Sequence, residues 1–339
     1  MRKKQLEYYG TLGPSCAKEE TLIAMFEQGM TGIRLNLSHR SLRESEEWIR
    51  MYQKAAKKAG KPEADLLIDL IGPELRIGEL EEPLILSEGE PVWLGREGIF
   101  VEQAVIEAMQ PGVQILLDDG KIALRAEQVF TDRAECKVIR GGILHSRKSI
   151  ALVGISVNNE TLTEKDLLNL RLAKEYGVTA VMLPFVRGRE DLICLRRAME
   201  ACGCQNLKIY AKIENMEGVE KLEELLPECD TVVIARGDLG NAMPLSKLPI
   251  VQQQISAICR EQEKDFLVVT QMLQSMTKSA VPTRAEVNDI FHAVKDGASA
   301  LMLTGETAAG DYPVEAMKVL VETAEAACAF CTEKNTKFR

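Results

Sequence analysis

The 339-residue chain is short of several things, and each shortage excludes a class of function. No apolar run approaches the roughly 20 residues a membrane helix needs, and the basic start MRKKQ has no apolar segment behind it, so neither a membrane span nor a signal peptide is expected. Positive charge is in deficit: 42 Lys and Arg stand against 51 Asp and Glu, a net charge of −9 that argues against nonspecific nucleic-acid binding. A local site for an anionic ligand stays open. Three histidines are too few for a His-rich metal centre. The nine cysteines are odd in number and scattered from Cys16 to Cys331, which predicts reduced thiols in a cytoplasm and no disulfide framework. Cys202 and Cys204 are too close for the usual zinc spacing.

What is present is the composition of an ordinary globular protein, 46% hydrophobic and 27% charged. Single cores stop growing at roughly 250–300 residues, so the length suits one large domain with a smaller insert. Eight short aliphatic or β-branched runs recur: 8–13, 32–38, 65–70, 180–185, 208–214, 231–237, 266–271 and 300–304. Helical patterns such as KEETLIAMFEQG and EKDLLNLRLAKEYG lie between them. Strand-helix alternation predicts an α/β fold with a parallel sheet, and the count of eight favours a closed (β/α)8 TIM barrel.

One interval breaks the rhythm. Residues 78–154 hold no helix-rich pattern and are far too long for a βα connection. They read as strands and turns, hence as a small β-rich lid domain inserted after strand 3, with the barrel made of 1–77 and 155–339. Gly78 and Gly154 are the candidate hinges.

Barrel active sites are built at the C-terminal strand ends. That filter selects Arg34, Asn36 and Ser38 from strand 2, Asp69 with Glu74 and Arg76 from strand 3, and Lys212 and Glu214 from strand 5. Arg236 and Asp238 follow from strand 6, and Thr270 from strand 7. Any one of these reads first as a structural ion pair. Polar groups at the ends of five mostly apolar strands need a common explanation. Glu214 and Asp238 are hard oxygen ligands suited to Mg²⁺, and an ammonium and arginines beside them would neutralise a transferring phosphoryl group or an enolate.

The segments TLGPSC (11–16), GIRLNLSH (32–39), IDLIGPELRIG (68–78), LLDDGKI (116–122), KIENMEGVE (212–220), ARGDLG (235–240), TQMLQSM (270–276), PTRAEVNDI (282–290) and GETAAGDYPVEA (305–316) run in one order along nearly the whole chain. Together they resemble the pyruvate kinases. The resemblance implies transfer of the phosphoryl group of phosphoenolpyruvate to ADP or another nucleoside diphosphate, giving pyruvate. Lys212 would stabilise the phosphoryl and enolate oxygens, Glu214 and Asp238 would hold Mg²⁺ or Mn²⁺, and Arg34 would meet the phosphoryl group. Thr270 and the backbone at Gly237 would take the substrate carboxylate. Asn36, Ser38, Asp69 and the Leu70 carbonyl match a K⁺ site, with Glu74 at the position tied to potassium dependence. Arg76, His39 and Lys148 would face nucleotide phosphates.

There are departures. The family's DTKGPE reads Asp69-Leu70-Ile71-Gly72-Pro73-Glu74, SRKGVNLPG reads residues 146–154 as SRKSIALVG, and Arg40 stands where glycine is common. Asn241 and Ala242 replace a valine-glutamate pair. The sequence stops at Arg339, so the C-terminal effector domain is expected to be missing, and the chain is expected as a monomer or a barrel-to-barrel homodimer. Asp118 and Asp119 read equally as a hairpin turn or as lid groups facing nucleotide, and His39 alone equally as a cap. Met272 and Met276 read as helix packing. Two other functions keep some of the features: an Mg²⁺-dependent enolate-forming aldolase or lyase, and a catalytically weak phosphoenolpyruvate-binding sensor.

Overall fold

The computed structural model describes residues 5–337 apart from 119, 156 and 158, so the expectation for Asp119 lies outside the described residues. Eight parallel strands close into a barrel: β1 (Glu7–Thr11), β2 (Gly32–Asn36), β3 (Asp65–Asp69), β4 (Ala180–Leu183), β5 (Lys208–Ile213), β6 (Thr231–Ala235), β7 (Asp265–Val269) and β8 (Ala300–Met302). Each pairs with its successor, and β1 pairs with both β2 (Tyr9 opposite Gly32) and β8 (Tyr8 opposite Leu301), which closes the ring. The expected (β/α)8 architecture is the one observed.

The runs are apolar on both faces because both faces are covered. Alternate residues point inward, and Tyr9, Leu67, Met182, Tyr210, Val233, Leu267 and Met302 fill the barrel interior. Their neighbours Ile33, Leu35, Leu66, Ile68, Ile234 and Val268 pack outward against the helices. Every strand ends one or two residues before its sequence run does. Leu70, Glu214, Arg236, Gly237 and Thr270 therefore stand just beyond the strands, where backbone direction is free to change. ARGDLG differs most from expectation: Arg236–Asn241 is a short helix, which turns Arg236 and Asp238 to different sides.

Between β3 and β4 the chain builds a second sheet, antiparallel and five-stranded. Its spatial order is Ile150–Leu152, Gln114–Leu117, Ile122–Val129, Arg133–Arg140, Pro91–Gly95. Leu84–Leu86 pairs with Gly142–Leu144 beside it. This insert has its own core, including Leu94, Ile115, Leu117, Leu124 and Val138. It also contains a helix, Gln103–Ala108, that sequence reading misses, because six residues are too few to display a 3.6 period. The helix forms because Val105, Ile106 and Met109 can all reach that core.

Two connections join insert to barrel. Gly154 has a left-handed φ of 75° and open space where a side chain would go, as a pivot requires. Gly78 does not. It packs against the Phe100 ring and exchanges backbone hydrogen bonds with Phe100 and Arg147, so it belongs to the body of the insert. The crossing lies nearer Pro73, whose carbonyl accepts from Asn159 Nδ2 at 2.8 Å.

Candidate active site

At the mouth of the barrel a cavity of about 570 Å³ is lined by Thr11, Arg34, Asn36, His39, Asp69, Lys212, Glu214, Asp238 and Thr270, with Trp48 and Arg40 at its edge. The two-residue strand period brings most of them there. Arg34 and Asn36 share the inward face of β2, with the outward Leu35 between them, and Lys212 and Glu214 are likewise two apart along β5.

Asp69 is the hub. Its Oδ2 accepts from Arg34 Nε at 2.8 Å and Nη2 at 2.6 Å, and from Lys212 Nζ at 3.1 Å. Lys212 Nζ also lies 3.0 Å from Glu214 Oε1, while Glu214 Oε2 accepts the Phe185 backbone N–H at 2.8 Å. Arg34 Nη1 reaches Thr11 Oγ1, which donates in turn to the Leu303 carbonyl. All three ionic groups are nearly inaccessible, with side-chain exposures of 12% for Lys212, 2% for Asp69 and 1% for Glu214.

Burial opposes charge on each group, and the neighbours decide the outcome. For Lys212 the carboxylates of Asp69 and Glu214 outweigh burial and hold the ammonium above the ordinary lysine range. For Asp69, Lys212 and Arg34 outweigh it and hold the carboxyl below its usual range. Glu214 goes the other way. Burial first, with Asp238 and Asp69 adding repulsion, pushes it up against the pull of Lys212. Burial, then Arg76 and Arg34, lower the pKa of His39, which keeps its imidazole neutral at pH 7.

A second, narrower cleft of about 240 Å³ runs between the insert and the barrel. Leu116, Ile150 and Leu152 line one side, and Phe185, Met216 and Asn241 the other. Glu74, Glu214 and Asp238 border it, so Glu214 and Asp238 separate the two spaces.

Not every expected residue reaches the cavity. Arg76 bonds Glu74 and the Arg147 carbonyl, and Lys148 pairs with Asp118 at 2.7 Å, so both stand on the insert side. Gly237 borders the cavity through Thr270, since a Cβ at 237 would lie 2.9 Å from Thr270 Cγ2. The Asn36 side-chain oxygen accepts from the Ser38 N–H, and Leu70 is buried in the shell outside β3 with its N–H on the Met182 carbonyl. Arg236 is a correction: it points away from the mouth, onto the carbonyls of Thr270 and Gln271 and onto Asp289. Asp118, with φ 49°, forms the hairpin turn between Gln114–Leu117 and Ile122–Val129. Met272 and Met276 are buried as expected; Met276 lies in the short 3-10 helix Gln274–Thr277 and Met272 just before it. Sequence reading missed Thr11 and the Phe185 amide; the first was signalled only by its place at the end of β1, the second by nothing local.

Residues 3–317 match the family described as pyruvate kinase, barrel domain. The chain belongs to the pyruvate kinase family. It is 35% identical over 333 residues to a pyruvate kinase of Geobacillus stearothermophilus, covering 95% of this chain and 57% of that protein. It is 36% identical over 321 residues to one of Bacillus licheniformis, with 91% and 55% covered, and 35% identical over 333 residues to one of Corynebacterium glutamicum, with 93% and 68% covered. The chain therefore spans little more than half the length of the first two pyruvate kinases it matches. Among the described residues no helix is long and apolar enough to cross a membrane.

Proposed function

We propose that this member of the pyruvate kinase family moves the phosphoryl group of phosphoenolpyruvate to a nucleoside diphosphate such as ADP, releasing pyruvate, in the cytoplasm. The observation that carries the reading is the buried Lys212 ammonium, fixed by Asp69 and Glu214 at the barrel mouth. An ammonium has three donors. Two are engaged by these carboxylates, which leaves one for a phosphoryl oxygen and then for the enolate oxygen. Arg34, held by Asp69 and Thr11, adds a second fixed cation, and Thr270 with the Gly237 backbone would take the substrate carboxylate. His39, Arg76 and Lys148 would receive the nucleotide phosphates. Closure of the insert over the mouth would exclude water and so favour transfer over hydrolysis.

The donor set fits the cations that this chemistry needs. Among the described residues no three His, Cys, Asp or Glu side chains cluster to hold a metal alone. Glu214 and Asp238 border the same cavity as a two-carboxylate set of the kind that leaves positions for waters and substrate oxygens. Asp69 Oδ1 is buried with no hydrogen-bond partner, and together with Asn36, Ser38 and the Leu70 carbonyl it would hold a monovalent cation. Once bound, Mg²⁺ or Mn²⁺ at the first set and K⁺ at the second would neutralise charge on the phosphoryl and enolate oxygens.

A coupled assay tests the reading: purified protein with phosphoenolpyruvate, Mg²⁺, K⁺ and each of several nucleoside diphosphates should form pyruvate only when a diphosphate is present. Absence of diphosphate-dependent pyruvate with every nucleotide would overturn it.

A further inference from the structure

Six described residues other than glycine have a left-handed φ, and only two are adjacent: Thr270 at 77° and Gln271 at 56°. Thr270 is also the only β-branched residue of the six, the type that tolerates this region least. Such strain persists only where the surroundings over-determine it. Here they do. The turn leaves β7 and is held by three side chains. Arg236 donates from Nε and Nη2 to the Thr270 carbonyl at 3.1 and 2.8 Å, and from Nη2 to the Gln271 carbonyl at 3.1 Å. Its other arm is anchored on Asp289, and the side chain is 10% exposed. Further along the chain Glu306 accepts the Leu273 N–H at 3.0 Å, and Glu286 accepts the Ser275 N–H at 2.7 Å.

From this geometry we infer that Arg236 is a positioning residue for Thr270: its guanidinium fork holds the carbonyls of the strained turn so that the Thr270 side chain stands in the cavity beside Gly237. The consecutive residues Arg236, Gly237 and Asp238 then divide the work. The first fixes the turn, the second leaves room for the Thr270 methyl, and the third presents a carboxylate to the same cavity. The planar fork is the essential property, because the point charge of a lysine cannot bridge two carbonyls and an aspartate at once. The inference rests on the proposed reading, in which Thr270 touches substrate.

Its test uses a rescue that a charge effect would not allow. Arg236→Lys should lower kcat/KM for phosphoenolpyruvate roughly 100-fold, the scale of an ångström-sized misplacement, with the melting temperature little changed. Gln271→Gly alone should leave turnover near that of the parent, since Gln271 is outside the cavity and glycine enters the left-handed region without strain. Combined, the two changes should recover at least about tenfold of the lost kcat/KM, because the turn then holds its shape without the fork. A fully active Arg236→Lys, or a double variant no better than the single one, would overturn the inference. Amide hydrogen exchange reads the same device without turnover: the amides of 271–274 should exchange faster in Arg236→Lys while those of β7 do not change. If the parent protein shows no phosphoryl transfer, the functional reading falls, and unchanged exchange at 271–274 would independently sink the positioning role.

Discussion

Replacing Lys212 by methionine removes one buried cation and leaves two buried carboxylates in its place, Asp69 at 3.1 Å and Glu214 at 3.0 Å from the former ammonium. Asp69 keeps Arg34 as a partner and stays ionised. Among the described residues no second cation pairs with Glu214, and Asp238 still repels it, so it takes up a proton near neutral pH. Breaking a buried pair costs roughly 3–5 kcal/mol, and protonation of Glu214 limits the loss here to the lower end, about 3 kcal/mol. For a fold of this size that is a drop of several degrees in Tm, not unfolding. Turnover should fall much further. Removing one fixed donor from a developing oxyanion costs roughly 10²–10³ in rate. A fully buried cation that meets both phosphoryl and enolate oxygens should exceed that, at about 10⁴ or 5 kcal/mol. The assay is pyruvate formation coupled to NADH oxidation, run beside thermal melts. The double variant Lys212→Met, Glu214→Gln separates the two effects: it should regain most of the lost stability, because no unpaired buried charge remains, and none of the lost activity. Turnover of Lys212→Met within tenfold of the parent would refute the catalytic argument. Failure of the double variant to regain stability would refute the charge-pairing argument.

Burial opposes charge on Asp191, but hydrogen bonds from Arg187 and Thr161 outweigh it and lower its pKa. A lowered folded-state pKa contributes stability above the unfolded value, near pH 4, that is lost as pH falls through the folded one. Asp191→Asn should therefore lower Tm at pH 7 and flatten the acid side of the Tm-pH curve, as calorimetry between pH 3 and 7 would measure; a parallel downward shift at every pH would contradict the assignment. Lys148→Ala should raise KM for the nucleoside diphosphate about tenfold, the loss of a single phosphate contact, and leave KM for phosphoenolpyruvate unchanged. Equal effects on both would place Lys148 elsewhere. Thiol titration of the native protein should find Cys194, the exposed cysteine, reacting first, and Cys16, Cys136, Cys229 and Cys259 reacting only on denaturation, since burial excludes reagent and raises each thiol pKa. Fast modification of those four in the native protein would contradict their burial.

The barrel is legible from the sequence because its signal is strong and repeated: eight apolar runs separated by amphipathic helices admit few closed arrangements. The strand-end filter also works, because the period-2 alternation that hides Leu35 in the shell forces Arg34 and Asn36 inward. It stops working where the strand has already ended. Arg236 is one residue past β6, on a helical turn that swings it behind Thr270, and no periodicity reports that rotation. The left-handed turn at Thr270 and Gln271 is equally silent, since nothing in TQML resembles a glycine-marked turn and the conformation is imposed by distant Arg236, Glu306 and Glu286. Gly78 fails as a hinge for a related reason. A glycine is needed there to pass the Phe100 ring, and composition does not distinguish a close approach from a pivot.

Phosphoryl transfer itself is followed most directly by phosphorus-31 NMR of the complete reaction, with phosphoenolpyruvate, ADP, Mg²⁺ and K⁺ present together. The phosphoenolpyruvate resonance should decline as a γ-phosphate resonance of the triphosphate grows in equal measure, K⁺ removal should slow both, and Lys212→Met should abolish both. Growth of inorganic phosphate in place of the γ-phosphate, or no change in the phosphoenolpyruvate signal, would contradict it.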